Sequence, residues 1–424
     1  MSSPGSAAWP AVKLEALCRR ITVGHVGPMA NEYVESGVPF LRSQNVQPFR
    51  ISDQNLKYIG PEFHDKLVKS SLSPGDVVVV RTGYPGTACV IPVSIPECNC
   101  ADLVIIRPGE DLNPYFLAAF FNSAIGRARV GGSLVGVAQQ HFNITAARNL
   151  MVQFPSRVEQ DRIASILSAY DDLIENNLRR IQVLEEMAQA LYREWFVEFR
   201  FPGHGGVVTK DSDLGPIPED WSLATLGDLS SMMRSGSTPK RKEPLYWQDG
   251  VYPWYKTKEL HDHHLFDAEE MISELAIAKG ARLFDPGTIL MAIYGSPTVG
   301  RLGILTRRAS CNQAALAMVP QVKLVTASFL FHLLWSKRKY FNSIAQGAAQ
   351  QNISKQKVQD TVCVLPDRGL IEEFDSLCSP TLGLRRALED QVRNLRRQRD
   401  LLLPRLISGE LDVSELDIDV VEAA

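Results

Sequence analysis

The chain has 424 residues, 45% apolar and 22% charged, which suits a folded protein of two or more domains and excludes a disordered polymer. A net charge of −3 gives no general attraction to nucleic acid, so any such contact must come from local patches. The absence of an 18-residue apolar run predicts no membrane span; the lack of a leader pattern and seven cysteines without CxxC pairs predict a reduced, cytoplasmic setting.

In chain order, residues 1–155 mix short strands with turns. Val77-Val-Val-Val80 follows the Pro74-Gly75 turn and reads as a buried strand, and Leu103-Val-Ile-Ile106, stopped by Pro108, as another. Asn113-Pro114 then opens a helix over Tyr115-Phe-Leu-Ala-Ala-Phe-Phe121, because proline suits a first helical turn. From 158 to 196 there is no Gly or Pro. Ile163, Leu167, Tyr170, Ile174, Asn177, Ile181, Leu184, Ala188, Leu191 and Trp195 alternate steps of four and three, which is a heptad seam. A helix of about 40 residues would be about 60 Å long and needs a partner to bury that seam.

After a Gly- and Pro-rich linker, the chain repeats itself. Trp9 returns as Trp221, Leu72-Ser-Pro-Gly-Asp-Val77 as Phe284-Asp-Pro-Gly-Thr-Ile289, Cys98-Asn-Cys-Ala101 as Cys311-Asn-Gln-Ala314, and Gly136-Val-Ala-Gln-Gln140 as Gly347-Ala-Ala-Gln-Gln351. The displacement is 211–213 positions throughout, too long for a solenoid repeat, so each copy is a domain. Ile289-Leu-Met-Ala-Ile293 and Leu316-Ala-Met-Val319 are its strands, and Ala327-Ser-Phe-Leu-Phe-His-Leu-Leu334 its helix. A second seam follows: Ile371, Phe374, Cys378, Thr381, Leu388, Val392, Leu395, Leu402 and Leu406, interrupted by Arg385 and Arg399 and expected to kink or weaken near Pro380 and Gly383. The seams are expected to pair antiparallel. Asn177 and the two arginines would set register, or the arginines would snorkel outward.

The fold expected is therefore α+β: two duplicated mixed α/β domains separated by two long antiparallel coiled-coil helices, with pseudo-twofold symmetry. The domains are 1–155, a central spacer helix 156–200, linker and second domain 201–366, and a distal helix with tail 367–424.

Motifs for chemistry are missing: there is no GxxxxGK[ST], GxSxG or HExxH. Asn113-Pro114-Tyr115 lacks one proline of an amino-methyltransferase loop. Cys98-Asn-Cys100 and His261-Asp-His-His264 read as strand and polar loop rather than metal ligands, since neither has a second half. What recurs is polar and aromatic loops after apolar strands. Arg42, Ser43, Gln44 and Asn45 pair with Lys256, Thr257 and Lys258; Arg81, Thr82 and Tyr84 pair with Tyr294 and Ser296; Gln139 and Gln140 pair with Gln350 and Gln351. Arg, Asn and Gln can bind base edges bidentately, and Lys, Ser and Thr suit phosphates, so these are the candidate DNA-binding residues.

The chain resembles the specificity subunit of type I restriction–modification systems over essentially its whole length. The resemblance is carried by Leu214-Gly-Pro-Ile-Pro-Glu-Asp-Trp221, by Phe154-Pro-Ser-Arg-Val-Glu-Gln-Asp-Arg-Ile163, and by Leu406-Ile-Ser-Gly-Glu-Leu411. The second copy, Leu365-Pro-Asp-Arg-Gly-Leu-Ile-Glu-Glu-Phe374, keeps the proline but has Glu for Gln. The resemblance implies two target-recognition domains, each reading half of a split target in double-stranded DNA, with helices setting the spacer. It implies a non-catalytic chain whose partners are modification (methyltransferase) subunits, two in number, and a restriction (ATP-dependent translocase and nuclease) subunit. S-adenosylmethionine, ATP and Mg would bind those partners, and this chain would hold no cofactor or metal. An orphan DNA methyltransferase and a coiled-coil scaffold that binds no DNA are the alternatives.

Overall fold

The four consecutive valines Val77–Val80 are all buried. They lie inside an antiparallel sheet of order Ala88–Val90, Val77–Val80, Leu103–Pro108, Cys18–Val23. Because strand side chains alternate, Val77, Val79, Val104 and Ile106 enter one apolar cluster, while Val78, Val80, Leu103 and Ile105 enter another. Burial on both faces explains why this sequence runs as an unbroken apolar string rather than an alternating one. The computed structural model describes residues 9–134, 141–295, 298–345 and 352–416. Contacts divide the chain into two units: Met1–Glu175 with Asn394–Ala424, and Asn176–Arg393.

The second unit repeats the sheet in the same order. Leu302–Leu305, Ile289–Ala292, Ala315–Pro320 and Ser230–Ser235 correspond to the four strands above, and His263–Leu265 adds a fifth, parallel to Leu302–Leu305. Side chains alternate here too: Ile289, Met291, Leu316 and Met318 pack into one cluster, and Leu290, Ala292, Ala315 and Ala317 into the other. A second sheet lies in each unit and contains one parallel pair. In the first it is Val38–Leu41 with Cys98–Cys100; in the second, Tyr252–Tyr255 with Ser310–Cys311. Each unit also closes its chain ends alike, Ala11–Lys13 pairing with Met151–Gln153 and Ser222–Thr225 with Val362–Leu365.

One helix packs on the first-described sheet in each unit. Pro114–Asn122 begins at Asn113, whose side chain accepts from the N–H groups of Tyr115 and Phe116. Ala327–Ser336 begins at Thr326, which accepts from Phe329 N–H. Both satisfy amides that the first helical turn leaves open.

The two seams form helices of 40 residues each, Arg157–Phe196 and Arg368–Ile407. The second stays helical through Pro380 and Gly383, where the sequence predicts a kink or weakening; Phe374, Cys378 and Leu388 are buried on either side, and packing outweighs the lost hydrogen bond. Within each unit the two helices run antiparallel. In the first, Arg162 reaches the Ser414 carbonyl and Asp171 meets Arg399 at 2.5 Å. In the second, Asn177 donates to Gln391 at 3.4 Å and Glu185 lies 4.0 Å from Arg385. Both arginines turn inward rather than snorkel. The Arg385 side chain is 5% exposed, bonded to Glu389 at 2.9 Å and to the Asp262 carbonyl. Buried guanidinium groups need such partners, because an unpaired buried charge is costly.

Candidate nucleic-acid interface

In each unit a tight turn leaves the end of the parallel strand pair. After Val38–Leu41 comes the 3-10 turn Ser43–Asn45; after Tyr252–Tyr255 comes Thr257–Glu259. The third turn residue accepts the backbone N–H that opens the turn: Asn45 Oδ1 from Arg42 at 3.1 Å, and Glu259 Oε2 from Lys256 at 2.8 Å. The same side chains then hold the segment that follows. Asn45 Nδ2 donates to the carbonyls of Ser52 (3.0 Å) and Gln54 (3.2 Å), whereas Glu259 Oε1 accepts from Glu269 N–H at 2.9 Å.

The second loop of each unit adjoins the first. Ala101 N–H donates to the Leu41 carbonyl, and the next residue, Asp102, takes Arg81 Nη1 at 2.5 Å. In the other unit Asn312 N–H donates to Tyr255, and Ile293 N–H to Ala314. Both second loops turn on paired glycines at positive φ, Gly83 (81°) and Gly86 (90°) in one, Gly295 (89°) and Gly300 (80°) in the other. That backbone region is open to glycine at little cost. Phe142 N–H donates to the Arg81 carbonyl at 3.1 Å, and Ile353 N–H to the Ile293 carbonyl at 2.9 Å, so a third segment returns to the same place.

The candidate residues fare differently at this site. Gln44 and Lys258 occupy the same turn position and are exposed; Ser43 and Thr257 precede them, half-buried. Tyr84 is 85% exposed and Tyr294 38%. Thr82 is half-buried. Asn45, a candidate DNA-binding residue, is fully buried and its amide is spent inside the turn. Arg81 is held too: its side chain is 16% exposed, paired with Asp102 and donating to the Phe142 carbonyl at 3.3 Å. Lys256 meets Glu270 at 2.7 Å and Glu269 at 3.3 Å, and Lys258 meets Glu269 at 2.6 Å. Arg42 stacks over Tyr33 and donates to the Asn55 carbonyl. Gln139, Gln140, Ser296, Gln350 and Gln351 lie outside the described residues.

Sequence reasoning missed Arg241. It lies 3.9 Å from the Trp247 ring and 4.7 Å from Trp254, and grips Glu270 through both terminal nitrogens at 2.6 and 3.1 Å. Hydrogen bonding from Arg241, followed by that from Lys256, holds the Glu270 carboxyl down at about 2 against the opposing effect of burial. Nothing in a lone Arg241 pointed to this; the two tryptophans and Glu270 come from separate elements. His264 Nδ1 bonds Glu389 at 2.7 Å, and among the described residues no group of three or more His, Cys, Asp or Glu is placed to hold a metal.

The family model of the type I restriction modification DNA specificity domain matches this chain twice, at residues 35–186 and 218–367. The chain belongs to that family. Among relatives, the type I restriction enzyme MjaIX specificity subunit of Methanocaldococcus jannaschii is 26% identical over 63% of this chain and 62% of its own length, so this chain spans less than two thirds of it. The HindI specificity subunit of Haemophilus influenzae is 22% identical over 62% of this chain and 69% of its own. A crystal structure of the type I restriction–modification S subunit from M. genitalium superposes with a TM-score of 0.59 at 14% identity, covering 96% of this chain and 98% of that one, a likeness of fold.

Proposed function

We propose that this chain is the specificity subunit of a type I restriction–modification complex and reads a bipartite DNA target, one half with each unit. The observation that carries it is the duplicated site: two copies of one fold offer the same strand-end turn and the same glycine loop, with different exposed side chains. Gln44 and Tyr84 face solvent in one copy, Lys258 and Tyr294 in the other. One scaffold with two sets of readers suits two unlike half-sites. The partners would be two methyltransferase subunits and a restriction subunit, which would bind S-adenosylmethionine, ATP and Mg and perform the chemistry in the cytoplasm. This chain would bind and position only.

The test is to assemble the chain with its partners and map methylated positions. Gln44→Ala should relax only the first half-site and Lys258→Ala only the second, each by about 1–3 kcal/mol where the contact is bidentate. Relaxation spread over both halves would mean these loops hold phosphates. Methyl-donor binding by the isolated chain would instead favour an orphan methyltransferase, and failure to retard any duplex with partners present would favour a scaffold.

A further inference from the structure

Each unit rests one phenylalanine of its recognition domain on an arginine of the helix Arg368–Ile407. In the first, Arg399 lies 4.6 Å from the Phe49 ring; in the second, Arg393 lies 5.2 Å from Phe266. Both arginines are neutralised twice. Arg399 pairs with Asp171 (2.5 Å) and Asp400 (2.9 Å), and Arg393 with Asp267 (2.9 Å) and Asp390 (2.8 Å). Phe49 has φ of 67°, a backbone rare for an aromatic residue, so its placement is imposed by surrounding contacts.

Beside each of these contacts stand two exposed arginines that make no ion pair among the described residues, one from the domain and one from the helix. They are Arg50 and Arg396 in the first unit, Arg307 and Arg386 in the second. Among the described residues, Arg50 Nε donates to the Gln47 side-chain oxygen at 2.9 Å. Partial burial, then the charges of Arg50 and Arg399, disfavour the protonated form of Arg396 and outweigh the opposing charges of Asp400 and Asp171. Arg307, Arg386 and Arg393 line one open cleft of about 510 Å³ with Asp267 and Asp390, whose carboxylates are both engaged by Arg393.

We propose that each of these arginine pairs is a DNA-phosphate site beside the half-target read by its own unit. The inference rests on the reading of the chain as a DNA-binding subunit. Three observations favour phosphate. Guanidinium matches phosphate oxygens with a planar fork of donors. In the first unit Arg50 belongs to the hairpin Val46–Gln47 with Arg50–Ile51, which Asn45 ties to the turn carrying Gln44. The same arrangement of a doubly paired arginine on phenylalanine, flanked by two unpaired arginines, arises twice from residues that are not repeat equivalents in sequence. A chain of net charge −3 needs such local sites to grip a duplex.

The experiment uses the complex with its partner subunits and the double variants R50Q/R396Q and R307Q/R386Q, with R50K/R396K as the charge-preserving control. Binding to the mapped target is measured against salt, with ethylation interference at each phosphate. Each double Gln variant should flatten the log–log salt slope by up to about 1.8, from about 0.9 per phosphate contact. Interference should vanish only beside its own half-site, and the Lys control should restore the slope. The methylated sequence profile should stay as in the parent. An unchanged slope and interference map would overturn the proposal while leaving the two-half reading intact if Gln44→Ala still relaxes one half. Loss of partner subunits from the complex with an unchanged slope would overturn it in favour of a protein contact. Absence of any specific target for the parent complex would overturn the functional reading and this proposal with it.

Discussion

The turn Ser43–Asn45 and the turn Thr257–Glu259 have one geometry and two chemistries. The first is closed by a buried neutral amide with three hydrogen bonds. The second is closed by a carboxylate, Glu259, and surrounded by charge: Lys256, Lys258, Glu269, Glu270 and Arg241. The same contrast reaches the cores. His332 is buried in the second unit's helix Ala327–Ser336, where the first unit has Ala119 at the matching place. Duplication preserved backbone hydrogen bonds, which any suitable donor or acceptor can supply, and left the side chains free to diverge. The second unit therefore depends on protonation in ways the first does not.

The largest expected consequence concerns acid. Burial holds the His332 ring at about 4, against the opposing bond from its Nδ1–H to the Ser328 carbonyl. A folded value below the unfolded one means the unfolded chain takes the proton first, so stability is full above about pH 6.5 and falls toward pH 4. The loss should reach about 3 kcal/mol at pH 4, from about 1.4 kcal/mol per pH unit. In the first unit burial instead raises Asp76, a penalty that acid relieves. Segment-resolved hydrogen exchange should show Ala327–Ser336 losing protection in this window before Pro114–Asn122, and His332→Leu should abolish the difference. Simultaneous loss in both helices would break the comparison.

A second test compares the turn anchors. Asn45→Ala strips an acceptor and two donors from a fully buried position and should cost about 2–3 kcal/mol, because the Ser52 and Gln54 carbonyls lose partners. Glu259→Gln keeps one acceptor but sets an NH2 against the other N–H donor, and should cost about 1–2 kcal/mol. Thermal unfolding of both variants checks the order; equal costs would show that the turn in the second unit rests on the Glu259 charge.

The smallest expected difference lies in the glycine loops. A Cβ at Gly300 would meet Arg338 Cγ at 3.0 Å, and one at Gly86 would meet Val130 methyls at 3.4 Å. Both positions have positive φ. Each alanine should cost about 1–2 kcal/mol, Gly300→Ala slightly more than Gly86→Ala. Arg338 also clamps Asp262, at 2.9 Å through Nη1, so the Gly300 variant should shift backbone exchange around Asp262 as well. No such spread is expected around Gly86.

The sequence by itself determined the duplication, the buried strands, the capped helices and the two seams. These follow from local patterns: strand and heptad periods, Asn-Pro at a helix start, and a displacement that stays constant along the chain. It also located the loops of the candidate interface, because each follows an apolar strand in both copies. Tertiary structure alone decided which loop residues are free. Asn45, Arg81 and Lys256 have the right chemistry for nucleic acid but are occupied by Ser52, Asp102 and Glu270, brought from elsewhere in the fold. The helix through Pro380 likewise depends on packing around Phe374 and Leu388 that no local propensity encodes. Charge pairing and burial are nonlocal, and the difference between a reader and a support is made of those two quantities.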